Sequence, residues 1–397
     1  MGTGLVFLFA LACGLSVANL YYLQPLLALV ASELHSSAST TGLLVTTIQI
    51  GFGVGIVLLV PLGDLLDRRA LVPTLLVACA ACLTASAFAP NISVLLVTSA
   101  GVGLTSVVAQ ALVPFAADLA ADERRGQVVG TVMTGLLLGI LLARTASGLL
   151  AAVIGWRGVE AAAAVVAIVM GLVLRAGLPR MDRPKPLESY REVLVSAWRL
   201  LGAEPVLRRR CAYGALLFAA FSVLWTNVAF LLSSPPYSYP DWVIGLFGLV
   251  GASGATASSL AGRLADRGHG RAVTGAMAVL LVGGFGLLSL GARDLVWLVL
   301  GMVVLDFGCF GLHIVNQHEI YRLREQARSR LTADYIGIYF VGGAVGSALS
   351  TLAWARYRWE GVCALGAFIG IIAVALWADE LRRSHALRGS GASVSMP

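Results

Sequence analysis

Apolar segments about twenty residues long alternate with short polar turns along nearly the whole chain. A bilayer's hydrocarbon core is about 30 Å thick and takes about 20 residues of helix, because backbone groups must bond to one another where water is absent. The pattern predicts an all-α membrane protein with twelve transmembrane helices, at 4–30, 41–62, 71–89, 92–118, 128–153, 159–178, 210–232, 241–262, 272–291, 295–318, 333–355 and 360–380.

A charged turn interrupts this apolar pattern twice. Gly63-Asp64-Leu65-Leu66-Asp67-Arg68 returns 199 positions later as Gly262-Arg263-Leu264-Ala265-Asp266-Arg267. A repeat at half the chain length is typical of membrane proteins built from two related halves. We therefore predict two pseudo-symmetric six-helix bundles at 1–178 and 209–380, joined by a linker at 179–208 and followed by a tail at 381–397.

The linker begins with a Pro-rich basic stretch that is unsuited to helix. Apolar residues then recur at helical spacing, at Leu187, Tyr190, Leu194, Ala197 and Leu201. This predicts an amphipathic helix lying on the lipid headgroups, which joins the two halves as a tether.

Composition agrees with a membrane protein, since 58% of the residues are hydrophobic and 12% are charged. The six cysteines fall inside apolar segments, where a thiol behaves as a small hydrophobe, so we expect no disulfides. Cys79 and Cys82 have a redox or metal spacing, but no histidine or second cysteine pair accompanies them, and we expect packing rather than a metal.

The net charge of +7 comes from basic residues that lie mainly in the predicted loops, and this distribution does not indicate a nucleic-acid-binding surface. With both termini placed in the cytoplasm, the inner loops, linker and tail hold 22 of the 28 Lys and Arg residues, and the outer loops hold four. Because positively charged loops are retained in the cytoplasm, this asymmetry predicts that both termini are cytoplasmic.

Glycines concentrate in predicted helices 2, 5, 8 and 11. Three pairs have the spacing that lets helix backbones approach closely, namely Gly51 with Gly55, Gly135 with Gly139, and Gly342 with Gly346. Because these helices occupy corresponding places in the two halves, we expect the glycines to form a mobile interface between the halves.

Two ionisable residues, Arg144 and Asp306, lie well inside predicted helices 5 and 10 at similar depths. Charged groups in a span normally face a partner or a water-filled cavity, so we expect these two to face each other between the halves. Our hypothesis is that Asp306 is the protonatable coupling residue and that Arg144 keeps it ionised until substrate or a conformational change separates them. A permanent structural ion pair, and anion binding by Arg144, are the alternatives.

Other polar residues within spans are candidates for a substrate-binding lining. They are Asn19, Tyr21, Tyr22, Gln24, Gln49, Gln110, Trp225, Asn227, His313, Asn316 and Gln317, together with Arg144. Hydrogen bonding between helices is the alternative role for each amide, and a neutral, hydrogen-bonded state is the alternative for His313.

The two charged turns resemble the signature of the major facilitator superfamily between helices 2 and 3 and its copy between helices 8 and 9. The stretches Asn19-Leu20-Tyr21-Tyr22-Leu23-Gln24-Pro25 and Tyr339-Phe340-Val341-Gly342-Gly343 resemble a bacterial branch of proton-coupled drug and metabolite exporters. The resemblance implies alternating access in the bacterial inner membrane. It also implies a conformational latch formed by Gly63, Asp67, Arg68, Gly262, Asp266 and Arg267, although a charged turn that only sets topology is the alternative.

Enzyme chemistry is not indicated, because the chain has no phosphate-binding loop and its single lysine is Lys185. The residues and the resemblance together predict a monomeric secondary transporter that exports a small amphipathic organic compound in exchange for protons, with no other cofactor and no metal. Its partners would be that small molecule and the bilayer, and not nucleic acid. Import or exchange of a small polar or anionic metabolite is the alternative, and a non-transporting receptor is the second one.

Overall fold

The computed structural model describes residues 2–121, 124–179, 190–323 and 328–389. All regular structure in these ranges is helical. The α-helices are α1 (Thr3–Ala18), α2 (Leu27–Glu33), α3 (Ala38–Leu58), α4 (Leu62–Leu65), α5 (Arg68–Ala87), α6 (Ile92–Thr105), α7 (Val108–Leu119), α8 (Arg125–Gly177), α9 (Tyr190–Ala203), α10 (Pro205–Ser233), α11 (Asp241–Leu246), α12 (Ala252–Leu264), α13 (Gly270–Leu290), α14 (Leu295–Tyr321) and α15 (Arg328–Gly389).

The described ranges contain eight helical stretches that are long and apolar enough to cross a membrane. Three of them, of 53, 50 and 54 residues, are about twice as long as one crossing needs. Each is broken by a residue with non-helical φ/ψ, at Gly155, Gly268 and Arg358. Divided at these breaks, and with α1 and α2 as one further crossing, the described residues make twelve spans, and the predicted all-α membrane fold is confirmed.

Successive spans reverse direction at two ends of the bundle. We call the end with the turns at Gly63 and Gly262 the basic end, and the other the distal end. At the distal end, Arg157 Nη1 donates hydrogen bonds of 2.9 Å to the carbonyls of Ala87 and Ala89. In the second half, the Tyr237 hydroxyl donates to the carbonyl of Gly291 at 2.8 Å. Side chains thus fasten neighbouring distal loops within each half.

The three predicted glycine pairs pack helices together inside each half instead of lying at the interface between the halves. A Cβ added at Gly51 would lie 2.0 Å from the carbonyl oxygen of Ala100 on α6, which belongs to the same half. The other two pairs also pack within a half, Gly135 and Gly139 against α1, and Gly342 and Gly346 against α10. The expectation of a glycine-lined mobile interface was therefore wrong for these pairs, because their spacing indicates a close approach but not which helix approaches.

A different glycine pair joins the halves near the distal end. Gly148 on α8 meets Gly245 on α11 so closely that a Cβ on Gly245 would lie 2.8 Å from the carbonyl oxygen of Arg144. The Thr145 hydroxyl donates to the carbonyl of Gly245 at 3.0 Å. On another side of the same interface, the Thr46 hydroxyl donates to that of Ser347 at 3.0 Å.

Three of the predicted spans are interrupted. The first stops at Ala18 and resumes through a 3₁₀ turn at Gln24–Leu26, where Pro25 has no N–H to continue an α-helix. The fourth is interrupted at Ser106 and Val107, between α6 and α7. The eighth contains a five-residue 3₁₀ segment, Phe247–Gly251, between α11 and α12.

The linker contains the helix α9, Tyr190–Ala203. The Tyr190 hydroxyl donates to the carbonyl of Leu58 in the first half at 2.8 Å, while Leu201 packs against an apolar cluster of the second half. Leu187 and the side chains of Leu194 and Ala197 lie outside the described part of the chain. The helix therefore contacts both halves at the basic end.

Candidate functional site

Arg144 and Asp306 are both buried where the two halves meet. Arg144, on α8 of the first half, is 3% exposed, and Asp306, on α14 of the second half, is 0% exposed. Moving charged groups out of water costs several kcal/mol each unless other charges and hydrogen bonds compensate. Such residues inside a membrane span therefore mark a functional site by default.

Trp225 of α10 connects these two charges. The guanidinium carbon of Arg144 lies 4.1 Å from the centroid of the Trp225 ring. The indole Nε1 of the same residue donates to Oδ1 of Asp306 at 3.3 Å. Arg144 and Asp306 influence each other electrostatically, but among the ion pairs of the described residues none joins them within 4.0 Å. The two residues share one cluster as predicted, bridged by an aromatic ring.

Aromatic rings and one amide surround the guanidinium of Arg144. Its carbon lies 4.6 Å from the Tyr21 ring centroid and 5.6 Å from that of Phe221. Its Nε donates to Oε1 of Gln24 at 2.8 Å. A desolvated cation–π contact is worth about 2 kcal/mol or more, so these contacts offset part of the cost of burial.

The 3₁₀ segment of the eighth span covers both charged side chains. A Cβ added at Gly248 would lie 2.8 Å from Cβ of Arg144, and one added at Gly251 would lie 3.6 Å from Oδ2 of Asp306. Glycine at 248 is thus required for the close approach of this backbone to α8. At Gly251 a Cβ would make an ordinary contact with the Asp306 carboxylate.

One polar atom of each charged residue is left without a hydrogen-bond partner in the described part of the chain. These atoms are Nη2 of Arg144 and Oδ2 of Asp306, and both are buried. Buried polar atoms without a partner are rare because each costs about 1–3 kcal/mol or more. The arrangement therefore presents an unused donor and an unused acceptor around one indole ring, with aromatic walls suited to an apolar group.

Tyr21, Gln24 and Trp225 are the candidate lining residues that contact these charges directly. Gln49 crosses the interface elsewhere, since its Nε2 donates to the Ser222 hydroxyl at 2.9 Å. Asn19 donates to the sulfur of Cys79 at 3.4 Å within the first half. Asn227 donates to the carbonyl of Val223 in its own helix at 3.0 Å.

His313 and Asn316 form a second polar group, closer to the basic end. His313 Nδ1 lies 3.0 Å from the Tyr335 hydroxyl, and Asn316 Nδ2 donates to the same hydroxyl at 3.5 Å. Tyr22 packs beside an apolar cluster around Cys79. Four of the candidates are partly exposed, namely Tyr22, Gln110, His313 and Gln317. The structure therefore brings together one part of the predicted lining and separates the rest.

Comparison with known proteins identifies the family. A sequence model of the Major Facilitator Superfamily matches residues 9–320. The chain belongs to the Major Facilitator Superfamily. It is therefore a multi-pass membrane protein of the secondary-transporter type and not an enzyme.

The relatives of this superfamily member include bacterial transporters. It is 44% identical over 386 residues to the uncharacterized transporter YgaY of Escherichia coli O157:H7, covering 97% of this chain and 98% of the relative. It is 25% identical over 371 residues to the inner membrane transport protein YnfM of Escherichia coli K12, covering 93% and 88%. A crystal structure of a bacterial homolog of the human lysosomal transporter Spinster, inward-facing and occupied, has the same fold, with a TM-score of 0.77, 13% identity, and coverage of 96% and 97%.

The superfamily signature turns make contacts within their own halves. Asp67 caps α5, where its Oδ1 accepts from the backbone N–H of Arg69 at 2.9 Å. Arg68 donates to the carbonyl of Gly63 at 2.9 Å and pairs with Asp118 at 2.8 Å.

In the second turn, Asp266 lies 3.1 Å from Nε2 of His318, and Arg267 is exposed. A Cβ on Gly262 would meet Ile314 at 3.6 Å, an ordinary contact. The contacts described for both turns join groups of the same half.

Three buried charged residues, Glu160, Arg210 and Glu380, escaped the sequence reasoning. Glu160 is 2% exposed and lies in the sixth span. It is the single acidic residue of the predicted helix 159–178, so the signal was present in the sequence. Arg210 is 3% exposed and pairs with Glu380 at 3.5 Å. Both partners lie at the ends of predicted spans, where a charged side chain normally reaches solvent. Their positions therefore gave no sign of burial.

Proposed function

We propose that this transporter exports a small amphipathic organic compound in exchange for protons, by alternating access to a site around Trp225. The observation that carries the proposal is the burial of Arg144 and Asp306 between the halves without direct pairing. A structural ion pair would gain most from direct contact. A separated pair with one unpartnered atom each fits groups that change partners during transport.

Asp306 is the proposed coupling residue. A proton and a donor or cationic group of the substrate compete for its Oδ2, so that binding of one releases the other. Arg144 compensates the carboxylate when neither is bound. The rings of Tyr21, Phe221 and Trp225 supply the surface for the apolar part of the compound.

The signature turns fit the latch role in this scheme, since their charged groups can exchange intra-half partners for partners across the interface. The excess of Lys and Arg at the basic end supports placing that end, and both termini, in the cytoplasm. This orientation makes the distal contacts of Gly148 with Gly245 and of Thr46 with Ser347 an external closure.

Import or exchange of a small anionic metabolite is the second candidate. It is favoured by Nη2 of Arg144, a buried cationic donor without a partner. A carboxylate or phosphate group would accept from it. The two candidates differ in whether protons move in the opposite direction to the transported compound.

Substrate-triggered proton movement tests both candidates. The purified transporter is placed in liposomes with an imposed pH gradient and an internal pH dye, and lipophilic cations, nucleosides, sugars and organic anions are added in turn. Export coupled to protons predicts a response to an amphipathic class that is lost in Asp306→Asn. Glu160→Gln is the matched control, because it removes another buried carboxylate, on α8.

A wild-type response in Asp306→Asn would contradict the coupling role. A response limited to organic anions, lost in Arg144→Gln but retained in Asp306→Asn, would support the second candidate. Silence across the panel with binding still detected would indicate an exchanger that moves no protons, or a receptor.

A further inference from the structure

A cavity of about 640 Å³ lies between helices α3 and α15, on the side of the molecule nearer the basic end. It is lined from α3 by Thr46, Gln49, Ile50, Gly53 and Val54 and continues to Pro61. From α15 it is lined by residues between Arg330 and Ala348. It lies at the contact between the halves, but neither Arg144 nor Asp306 lines it.

The lining of this cavity exposes several apolar side chains. Four large apolar side chains in its lining are strongly exposed, with 51% for Ile50, 42% for Val54, 59% for Val341 and 52% for Val345. In a membrane-spanning protein such side chains contact acyl chains. The lining from Thr46 to Leu58 covers about 18 Å of helix, close to the thickness of one leaflet, which is about 15 Å.

Positive charge collects at the basic end of the cavity. Arg330 lines it, and Leu201 of the linker helix covers the same end. Arg208 donates to the carbonyls of Leu201 and Gly202, which places a second guanidinium beside this opening. Asp334 is the acidic residue among those that line the cavity, and it lies one helical turn from Arg330.

We propose that this cavity binds one acyl chain of an anionic phospholipid from the leaflet at the basic end, with its headgroup against Arg330 and Arg208. Basic pockets between transmembrane helices on the cytoplasmic side suit anionic headgroups. Beyond the cavity towards the distal end, the same two helices are joined directly, by Thr46, which also lines the cavity, and Ser347. The acyl chain therefore acts as a wedge that stabilises the halves apart at one end while they meet at the other.

Filling the cavity tests the proposal. A Cβ added at Gly337 would meet only Val57, at 3.7 Å, so Gly337→Leu extends into the cavity without striking backbone. Gly130→Leu is the matched control, since Gly130 is exposed and a Cβ there meets nothing within 4 Å. The full-length protein in mild detergent is titrated with phosphatidylglycerol or phosphatidylcholine of identical acyl chains, and bound lipid is counted by native mass spectrometry.

The wild type and Gly130→Leu are expected to retain one phosphatidylglycerol that Gly337→Leu loses. Arg330→Gln is expected to lower the preference for phosphatidylglycerol over phosphatidylcholine about fivefold, since one cation near the headgroups is worth about that factor. Thermal unfolding in the same detergent shows whether each variant is folded, and Arg330→Gln tests the proposal independently if Gly337→Leu is not.

Equal phosphatidylglycerol retention by folded Gly337→Leu and Gly130→Leu would overturn the proposal. So would equal affinity of the wild type for the two lipids. If Gly337→Leu lost transport while it retained the lipid, the cavity would serve the transported compound instead. None of these lipid measurements depends on the proton-coupled function.

Discussion

The indole N–H of Trp225 is bonded to the carboxylate of Asp306 at 3.3 Å, while the face of the same ring lies against the guanidinium of Arg144. One side chain from the second half thus contacts both charges, since its N–H binds the carboxylate and its ring makes a cation–π contact with the guanidinium. The two contributions can be separated by substitution.

Trp225→Phe keeps an aromatic ring and removes the N–H. We expect proton-driven transport to fall about tenfold or more, because a buried hydrogen bond to a charged group is worth about 1.5–3 kcal/mol. Trp225→Leu should reduce transport further by removing the cation–π contact as well. The measurement is the initial rate in liposomes under a fixed pH gradient.

The control for this prediction is Trp297→Phe, which alters a tryptophan that is 41% exposed on the same protein. It should transport at the wild-type rate. Wild-type transport by Trp225→Phe would mean that the bond to Asp306 has no part in coupling.

Cysteines at positions 46 and 347 should lock the distal end. The two hydroxyls they replace are 3.0 Å apart and belong to different halves, so oxidation brings two sulfurs within bonding reach. We expect oxidation of Thr46→Cys/Ser347→Cys to abolish transport and a reductant to restore it. The six native cysteines are free.

Thr226→Cys/Ser347→Cys provides the matched pair. Its hydroxyls are also 3.0 Å apart, but both helices lie in the second half. Oxidation of this pair should leave transport unchanged. Equal loss in both pairs would argue that disulfide formation damages the helices rather than blocking a relative movement of the halves.

Asp67→Asn tests the latch. Asparagine caps helices about as well as aspartate, so the bond to the N–H of Arg69 can be retained while the charge is lost. We expect slower transport with unchanged expression and membrane insertion. Transport at the wild-type rate would leave Asp67 as a helix cap only.

Glu380→Gln should destabilise the protein. Glu380 is 7% exposed and lies 3.4 Å from Arg209 and 3.5 Å from Arg210, the latter almost fully buried. Removing one partner of a buried ion pair costs about 3–5 kcal/mol because the other charge is left uncompensated. The free energy of unfolding in detergent measures this change.

Arg383→Gln supplies the comparison, since it breaks a 2.8 Å pair with Asp379 in which the side chains are 69% and 46% exposed. Its effect on the same free energy should stay below about 1 kcal/mol. Similar losses of unfolding free energy in the two variants would mean that the buried pair stabilises the protein no more than a surface pair does.

The helices were predictable because a span of about twenty apolar residues is a strong signal that one sequence carries by itself. Arg144 and Asp306 were predictable for the same reason, since a charge inside such a span stands out. The bridge through Trp225 was not. It depends on how each helix is rotated about its axis, and that rotation is set by the packing of twelve helices rather than by any local pattern.

Asn19 and Asn227 illustrate this limit. They occupy comparable places in the first helices of the two halves, yet one bonds to Cys79 and the other to its own helix. The interruption at Gln24–Leu26 has a local cause in Pro25, whereas that at Phe247–Gly251 contains no proline. The second interruption lies against α8, where a Cβ at Gly248 would lie 2.8 Å from Cβ of Arg144, a contact that the sequence of the segment does not specify.

The 3₁₀ segment Phe247–Gly251 gives the eighth span an adjustable length. A 3₁₀ helix rises about 2.0 Å per residue and an α-helix about 1.5 Å, so rewinding five residues would shorten the span by about 2.5 Å. Gly248 and Gly251, which face Arg144 and Asp306, would move with it. A change of protonation at the centre of the membrane could thus be converted into an axial displacement of one helix end, with no hinge residue outside the segment itself.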